Sequence, residues 1–400
     1  SLLVIVFSRC NQQSLAIDKR GELYAGADAC KTCHKDVFDS YVHSYHYKTS
    51  SLVDADSLEK SKRPREDHDV FIYNDSSVVR VKKEGHSFFQ KLYVNGKEMR
   101  SVRMDIAFGS GEKAQTYAYW KDDQLLQLPL TLFHSPASAW VNSPGFPVSH
   151  ARFDRVIVSR CFECHASFIH KENVQTGGLR VTEKPDSSSI IYGIDCERCH
   201  GPAAAHVKFH TDNPSEKQSK YITSIKNLSR QQQLDMCGVC HSGNDYTAQR
   251  SLFAFVPGDT LMNFFYPEFA GGSNEPDVHG KQMQLLQAGK CFQLSQMTCG
   301  TCHSPHSSDG SKYFYADKCM SCHQSSAHAM KEREQMEKNK GKTFEGGLPS
   351  TCIECHMPEQ RSRLINFASS GKNNVLDYKL ITHRIGVYNF LSGYPTIITK

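Results

Sequence analysis

The sequence has few hydrophobic residues for its length. Only 39% of its 400 residues are hydrophobic, and it contains just two tryptophans. This composition is poor for building several independent cores from side chains alone, so we expect one compact body. Apart from the first ten residues, the sequence has no long apolar segment, since no such run reaches roughly eighteen residues. It therefore predicts no membrane-spanning helix.

A basic surface of the kind that binds nucleic acids is also missing. The 47 Lys and Arg against 42 Asp and Glu give a net charge of +5, but no basic cluster is interleaved with aromatic residues. The run "KEREQMEKNKGK" at 331–342 mixes both signs, which favours a solvated helical face and loop. Nucleic acid is therefore not an expected partner.

Cysteine, in contrast, is abundant and regularly spaced. Fourteen of the 16 cysteines fall in seven copies of the motif C-x-x-C-H, and Cys10 and Cys291 lie outside it. The cysteine pairs are Cys30 and Cys33, Cys161 and Cys164, Cys196 and Cys199, Cys237 and Cys240, Cys299 and Cys302, Cys319 and Cys322, and Cys352 and Cys355. The histidines that end the motifs are His34, His165, His200, His241, His303, His323 and His356.

The spacing within each motif predicts the covalent attachment of haem c. Residues three apart lie on the same side of a helical turn, so both thiols can reach the two vinyl groups of one porphyrin. The next residue brings an imidazole to the iron as the proximal ligand. Disulfides or zinc knuckles would not require a histidine after every second cysteine, and a thioredoxin-like motif would occur once. We therefore expect seven haems, which supply the missing apolar core, and a largely unfolded haem-free chain.

The remaining thirteen histidines are a surplus, and we expect about half of them to be distal ligands of the irons. A histidine three to six residues after a motif is too close to turn back onto the same iron. His206, His306 and His328 are so placed, and each is predicted to bind a neighbouring haem. The predicted distal ligands are His46, His150, His206, His279, His306, His328 and His383, with His134 in reserve.

The motifs are unevenly distributed along the chain, which divides it into four segments. We interpret residues 1–10 as a signal-peptide remnant with a lipobox and 11–67 as the first haem segment. Residues 68–135 are predicted to form a β-rich insert, and 136–400 the region of the other six haems. In the insert, Asn95-Gly96 between two alternating runs is a strong hairpin signal, and the form repeats around Lys121, Asp122 and Asp123.

Beyond the insert, the pattern favours short helices and long loops. Helices are predicted within 229–241, 280–295 and 327–340, and the loops between are rich in Gly, Pro, Ser and Asn. The predicted fold class is therefore a mainly α multihaem cytochrome c body with long loops. A small antiparallel β unit is inserted between its first and second haem motifs.

The first ten residues, "SLLVIVFSRC", form an apolar run that ends at a cysteine and precedes the polar "NQQS". This pattern is typical of the end of a signal peptide, with Cys10 as the lipid-modified first residue of a bacterial lipoprotein. The alternative is an ordinary secretory signal with an incidental cysteine. Either interpretation predicts an exported protein, in the periplasm or attached to the outer membrane by a lipid.

Four segments resemble a known group of multihaem cytochromes c: "ADACKTCHKDVFDSYVHSYHYKTS", "GIDCERCHGPAAAH", "MTCGTCHSPHSS", and "CIECHMP" followed by "THRI". They are similar to the superfamily of cytochrome c nitrite reductase, hydroxylamine oxidoreductase and the ammonia-oxidiser tetrahaem cytochrome, over about residues 22–390. The resemblance implies that His206, His306 and His383 are distal ligands. It departs at one point, because nitrite reductases have a lysine as proximal ligand of the catalytic haem, whereas all seven motifs here end in histidine.

These features favour electron transfer along a chain of haems whose irons mostly lie between two histidines. The expected partners are redox proteins, either other cytochromes or a quinol-oxidising complex. A second hypothesis is an oxidoreductase that acts on a small nitrogen or sulfur compound at one five-coordinate haem. A third is a binding module that docks through its β unit. The sequence does not decide whether the protein is an enzyme, and the number of distal ligands would discriminate between the first two.

Overall fold

The computed structural model describes the chain in eleven stretches. These are residues 17–60, 64, 69–134, 138–175, 181–243, 246–266, 276–308, 310–323, 351–371, 375–390 and 395–398. Three sequence predictions fall outside the described residues: the lipid-modified Cys10 with its segment 1–10, the ligand His328, and the helix within 327–340.

Strands make up a larger share of the fold than helices. The chain is 28% helical and 31% strand, and its sheets are antiparallel, so the predicted mainly α fold class is wrong. The physical reason is that the helices around the motifs are short, five residues long at Cys196–His200 and Cys352–His356. Strands, in contrast, continue far beyond the predicted insert, as in the ten residues Glu359–Ala368.

The helices and strands of the described residues are numbered along the chain. The α-helices are α1 (Ala27–Lys31), α2 (Lys35–Tyr41), α3 (Ala55–Lys60), α4 (Ser159–His165), α5 (Cys196–His200), α6 (Ala204–Asp212), α7 (Arg230–His241), α8 (Gln282–Gln287), α9 (Lys290–Gln293), α10 (Lys312–Met320) and α11 (Cys352–His356). Short 3₁₀ turns lie at Ser187–Ser189, Ile225–Asn227, Leu252–Ala254, Leu261–Phe264 and Cys299–Thr301. Within the described ranges, none of the helices has the length and hydrophobicity needed to cross a membrane.

The strands up to residue 156 are β1 (Ser50–Leu52), β2 (Val70–Asn74), β3 (Ser77–Glu84), β4 (Ser87–Val94), β5 (Lys97–Arg103), β6 (Ile106–Phe108), β7 (Ala114–Lys121), β8 (Gln124–His134), β9 (Ser138–Asn142) and β10 (Arg155–Val156). The later strands are β11 (Ala166–Phe168), β12 (Lys171–Gln175), β13 (Val181–Pro185), β14 (Ile191–Tyr192), β15 (Glu359–Ala368), β16 (Val375–Ile381), β17 (Tyr388–Asn389) and β18 (Thr396–Ile397).

The first sheet is an antiparallel meander of β2, β3, β4 and β5 in that order. Its strands alternate between buried and exposed residues; in β3, Val79 and Val81 are buried and the residues after each are exposed. Asn95 and Gly96 form the two-residue turn between β4 and β5, with φ of 50° and 75°. Positive φ at both positions is what a type I′ turn requires, so the hairpin predicted here is confirmed.

The second sheet has six strands in the order β1-β6-β7-β8-β10, and β9 also pairs with β8. A tight turn at Asp122-Asp123 joins β7 to β8, where Lys121 pairs with Gln124. Asp122 has φ of 51°, a left-handed value that Asp tolerates better than most residues. This second predicted hairpin is also confirmed.

The two sheets share one hydrophobic core. Leu128 and Leu130 of β8 are fully buried and pack in the same cluster as Phe88 of β4. The buried amide of Gln90 donates to the carbonyl of Leu130 at 3.0 Å and accepts from its amide at 2.9 Å. Because both polar groups of this side chain are satisfied by one strand, the core tolerates a glutamine and fixes β4 against β8.

The other face of β8 packs against the region that carries the haem motifs. Leu125 lies in a buried cluster with Phe162 of the second motif. Phe133 contacts Phe367 of β15, with ring centroids 4.6 Å apart. The β sheets are therefore packed on the motif region at two separate places.

Short helices and two-stranded hairpins build the motif region. The predicted helix at 229–241 is present as α7, which begins with a capping box between Ser229 and Gln232. The predicted helix at 280–295 is divided into α8 and α9 near Gly289. A side chain at Gly289 would lie 3.2 Å from the carbonyl of Ile385, so glycine allows a close approach of the chain that carries His383.

Candidate haem-binding sites

Each haem motif lies on one helical turn or at the end of a longer helix. The second motif ends α4, the third forms α5, the fourth ends α7, and the seventh forms α11. In the other three motifs, the amide of the histidine donates to the carbonyl of the first cysteine: His34 to Cys30 at 2.9 Å, His303 to Cys299 at 3.0 Å and His323 to Cys319 at 3.0 Å. The local fold thus places the two thiols of a motif on one side of a turn.

Disulfides do not compete with haem for the described cysteines. The fifteen cysteines in the described residues form no disulfide. In the same part of the chain, no three His, Cys, Asp or Glu side chains are grouped as a metal ion would need. Burial raises the pKa of the Cys199 thiol to about 11, so this thiol is neutral at physiological pH.

Thiols of different motifs lie beside one another. The largest effect on a thiol pKa comes from a thiol of another motif in four pairs: Cys30 with Cys196, Cys164 with Cys240, Cys237 with Cys299, and Cys319 with Cys352. Weaker electrostatic effects link Cys199 with Cys237 and Cys240, and Cys302 with Cys319 and Cys322. The motifs are therefore packed into one group, although they are spread over more than three hundred residues of sequence.

Four motif histidines face a histidine from elsewhere in the chain. The ring centroids are 6.4 Å apart for His34 and His206, 6.0 Å for His200 and His306, 5.9 Å for His303 and His383, and 6.2 Å for His241 and His46. The first three pairs have nearly parallel rings, with angles of 16°, 11° and 26°, and the fourth is close to perpendicular at 84°.

This separation fits two imidazoles on opposite sides of one haem iron. A ligating nitrogen lies about 2 Å from its metal and about 1.2 Å from its own ring centre, so the two centres should be roughly 6.3 Å apart. The spacing of the four pairs therefore has room for a metal between the rings.

Backbone carbonyls orient several of these imidazoles. The Nδ1 atom of His206 lies 2.7 Å from the carbonyl oxygen of Lys220, and that of His356 lies 2.7 Å from the carbonyl oxygen of Gly386. A carbonyl can only accept a hydrogen bond, so Nδ1 must carry the proton and Nε2 keeps its lone pair. This is the tautomer that binds a metal through Nε2.

Burial also favours neutral imidazoles at these positions. It lowers the pKa of His241 and His383 to about 4 in each case. His241 has exposed surface even though many protein atoms surround its side chain. Neutral imidazole is the form that coordinates iron, so these two histidines are ready to bind at physiological pH.

The other predicted distal ligands have different surroundings in the structure. His279 lies close enough to His165 that it contributes, after burial, to a lowered pKa of His165. His150 is exposed, and its Nδ1 atom lies 3.1 Å from Oγ of Ser149. The reserve ligand His134 has its Nδ1 atom 2.9 Å from Oγ of Ser138. The interaction of His279 is therefore one with a motif histidine.

The sequence interpretation missed a buried glutamate inside the third motif. Glu197 accepts hydrogen bonds from the amides of Ala25 and Gly26, both at 2.9 Å, and of Ala203 at 2.8 Å. It also pairs with Arg20 at 2.9 Å. One carboxylate thus joins the segment before the first motif to the start of α6, which carries His206. Acidic residues between the cysteines, as also at Glu163 and Glu354, are the signal that was available in the sequence.

Comparison with known proteins identifies haem-protein families in two parts of the chain. Residues 148–201 match the family model described as cytochrome c554 and c-prime, and residues 291–368 match the one described as cytochrome c3. The multiheme cytochrome MtrA of Shewanella baltica (strain OS185) is 28% identical over 187 residues, which are 41% of this chain and 51% of that protein. The chain therefore spans about half the length of this curated relative.

A solved structure was also found. The crystal structure of the outer cell wall cytochrome OcwA has a TM-score of 0.49 and 16% sequence identity, over 86% of this chain and 79% of that one. The family matches and the relative support a multihaem c-type cytochrome with covalently bound haem c. The number of seven haems and the narrower resemblance to the nitrite reductase superfamily stay predictions.

Proposed function

We propose that the chain transfers electrons along seven covalently attached haems c, most of them with two histidine ligands. The motif cysteines would hold the porphyrins, and the motif histidines would be the proximal ligands. Bound haem supplies one-electron chemistry at its iron. The protein residues orient the imidazoles, exclude water and keep neighbouring motifs close together.

The spacing of the four histidine pairs carries this proposal. At 5.9 to 6.4 Å between ring centroids, the two imidazoles of each pair would hold one iron between them. An iron held in this way by two protein ligands would have no place left for a substrate, which favours electron transfer over catalysis. The distal ligands in these pairs would be His206, His306, His383 and His46.

His279, beside His165, is our fifth candidate for a distal ligand. The ligands of the sixth and seventh motifs remain to be assigned, with His328 and His150 as the candidates from the sequence. These two motifs are therefore where a five-coordinate haem, and with it the alternative of an oxidoreductase, would have to lie.

The electrostatic effects between thiols of different motifs support an order for the motifs. Neighbouring thiols connect the first motif to the third, the third to the fourth, the fourth to the fifth, the fifth to the sixth and the sixth to the seventh. The second motif lies beside the fourth through Cys164 and Cys240. We infer a main series of six motifs with one side branch at the fourth. Electrons entering near one end could then leave near the other or at the branch.

We also propose that the protein works outside the cytoplasm, in the periplasm or at the outer membrane. The first ten residues support this, and Cys10 is our candidate for a lipid anchor. The solved structure found by comparison is that of a protein named an outer cell wall cytochrome. The partners would be other redox proteins that accept or deliver electrons.

Intact-mass analysis combined with low-temperature EPR tests the proposed function. We expect seven haem masses of roughly 616 Da each beyond the polypeptide, and a ferric spectrum without a high-spin component. Five haems or fewer would contradict the motif argument. A persistent high-spin signal that shifts on addition of nitrite or hydroxylamine would instead favour the oxidoreductase.

A further inference from the structure

A four-residue segment, Lys220 to Thr223, contacts candidate ligands of two different haems. The carbonyl oxygen of Lys220 lies 2.7 Å from Nδ1 of His206. The carbonyl oxygen of Thr223 lies 3.5 Å from Nδ1 of His200, and the amide of Thr223 donates to the carbonyl of His200 at 3.4 Å. His206 faces His34, whereas His200 faces His306, so the two contacts belong to two histidine pairs.

The residue between these carbonyls has an unusual backbone conformation. Tyr221 has φ of 58°, in the left-handed region that aromatic residues rarely adopt. Its side chain is 66% exposed and makes an edge contact with Phe209, at 5.4 Å between ring centroids. The ring is therefore not buried in a core that would force this conformation. The course of the backbone between two carbonyl contacts is the remaining physical reason for it.

We propose that residues 220–223 are a positioning segment that sets the reduction potentials of two neighbouring haems together, through the left-handed backbone of Tyr221. This inference rests on the proposed function, since it assumes that His206 and His200 bind iron. A carbonyl that accepts from Nδ1–H makes the imidazole a stronger electron donor at Nε2. Stronger donation stabilises ferric iron and lowers the reduction potential.

The two contacts differ in length, which gives the proposal a direction. At 2.7 Å the contact with His206 is a strong hydrogen bond, and at 3.5 Å the contact with His200 is a weak one. Disturbing the segment should therefore raise the potential of the haem between His34 and His206 more than that of the haem between His200 and His306.

Substitutions at Tyr221 separate the backbone from the ring. Tyr221→Val introduces a β-branched residue that resists positive φ, whereas Tyr221→Gly and Tyr221→Asn accept it and also remove the ring. For the valine variant we expect all haems to stay attached and low-spin, with one potential raised by about 60 mV and a second raised less. This is a tenfold change in the ratio of oxidised to reduced haem. The glycine and asparagine variants should keep both potentials close to those of the wild type.

A matched control is Asp122→Val. Asp122 also has positive φ, at 51°, but it lies in the exposed turn of the hairpin formed by β7 and β8. This variant should leave every potential unchanged, which separates a local effect from general strain. Potentiometric titration followed by EPR gives the potentials and the low-spin signals of individual haems.

Three results would overturn the inference. The first is an equal shift of the reduction potentials in the valine and glycine variants, which would assign the effect to the ring. The second is unchanged reduction potentials in all Tyr221 variants. The third is an equal shift in Tyr221→Val and Asp122→Val. A failure of the proposed function would be seen in the wild type itself, as missing haems or a high-spin signal. The comparison among variants is therefore distinct from the test of that function.

Discussion

The β region, residues 50–156, and the motif region, residues 157–398, bury their interiors in different ways. In the β region, one cluster of eighteen buried residues joins both sheets, and Leu128, Leu130 and Val79 have no accessible surface. The buried clusters that lie wholly within the described motif region are much smaller, with six residues around Phe264 and three around Leu234. Its interior is lined instead by imidazoles and thiols. Side-chain packing therefore holds the β region together, whereas the motif region needs haem.

Removing haem should show the difference between the two regions most clearly. In a chain produced without haem attachment, we expect the motif region to lose its fold while the β region keeps its sheets, since its core contains no haem ligand. Hydrogen exchange followed by mass spectrometry should show protected amides in β7 and β8 and rapid exchange in α5, α7 and α11. Uniform protection, or uniform loss of it, would contradict the division into two regions.

Acid should affect the motif region before the β region. Burial lowers the pKa of His241 and His383 to about 4, from an unfolded value of about 6.5. Between these values the unfolded chain binds more protons than the folded one, so this stabilisation is present above pH 6.5 and is lost as the pH falls towards 4. Iron competes with protons for these imidazoles, so we expect haems to become high-spin at the acid end of this window or below it while the fluorescence of buried Trp140 stays native. A loss of both signals at one pH would disprove the separation.

A core substitution should have the opposite selectivity. Leu128→Ala removes a side chain that is completely buried between the sheets, and should lower the free energy of unfolding of the β region by about 2–5 kcal/mol. Leu294→Ala is the matched control, because Leu294 is 85% exposed. Urea unfolding followed by Trp fluorescence measures the change. The Soret and EPR spectra should be those of the wild type, and an altered spin state would mean that the regions are coupled.

A single ligand should change one haem and nothing else. In His206→Ala we expect one low-spin haem to become high-spin and to bind carbon monoxide, while all haems stay attached through their cysteines. His86→Ala is the control, since His86 is exposed in the turn between β3 and β4. EPR and carbon monoxide difference spectra measure the effect. If His206→Ala stays entirely low-spin, His206 is not a ligand.

The same contrast explains what could be predicted from the sequence. The turns at Asn95-Gly96 and Asp122-Asp123 are local, so their residues alone specify them. Short-range placement after the third motif likewise singled out His206 as a candidate. His46 and His241, however, face each other from distant parts of the chain, and no local sequence signal encodes this pair. The division of α8 from α9 depends on a close approach by Ile385, which is equally remote in sequence.

The share of strands was underestimated for a related reason. The hairpin of β15 and β16 packs through Phe367 on the side chain of Phe133, and it follows the seventh motif, in a region whose loops suggested irregular structure. A two-residue strand such as β17 or β14 gives almost no periodic signal. Such pairs form because the chain is already held nearby by other contacts. Local pattern alone therefore favours loops there.

The smallest effect is expected at Cys291, the described cysteine outside the motifs. It lies in α9 and close to Cys302 and Cys322, where its presence contributes, after burial, to the raised pKa of Cys302. No cysteine stands three residues before or after it and no histidine follows it, so it cannot hold a porphyrin as the motifs do. Cys291→Ser should keep seven haems and an unchanged visible spectrum, with a loss of stability below about 1 kcal/mol. Cys302→Ser, by contrast, should remove one thioether bond and shift the pyridine haemochrome band. Loss of a haem in Cys291→Ser would show that haem attachment in the motif region extends beyond the six motifs that it contains.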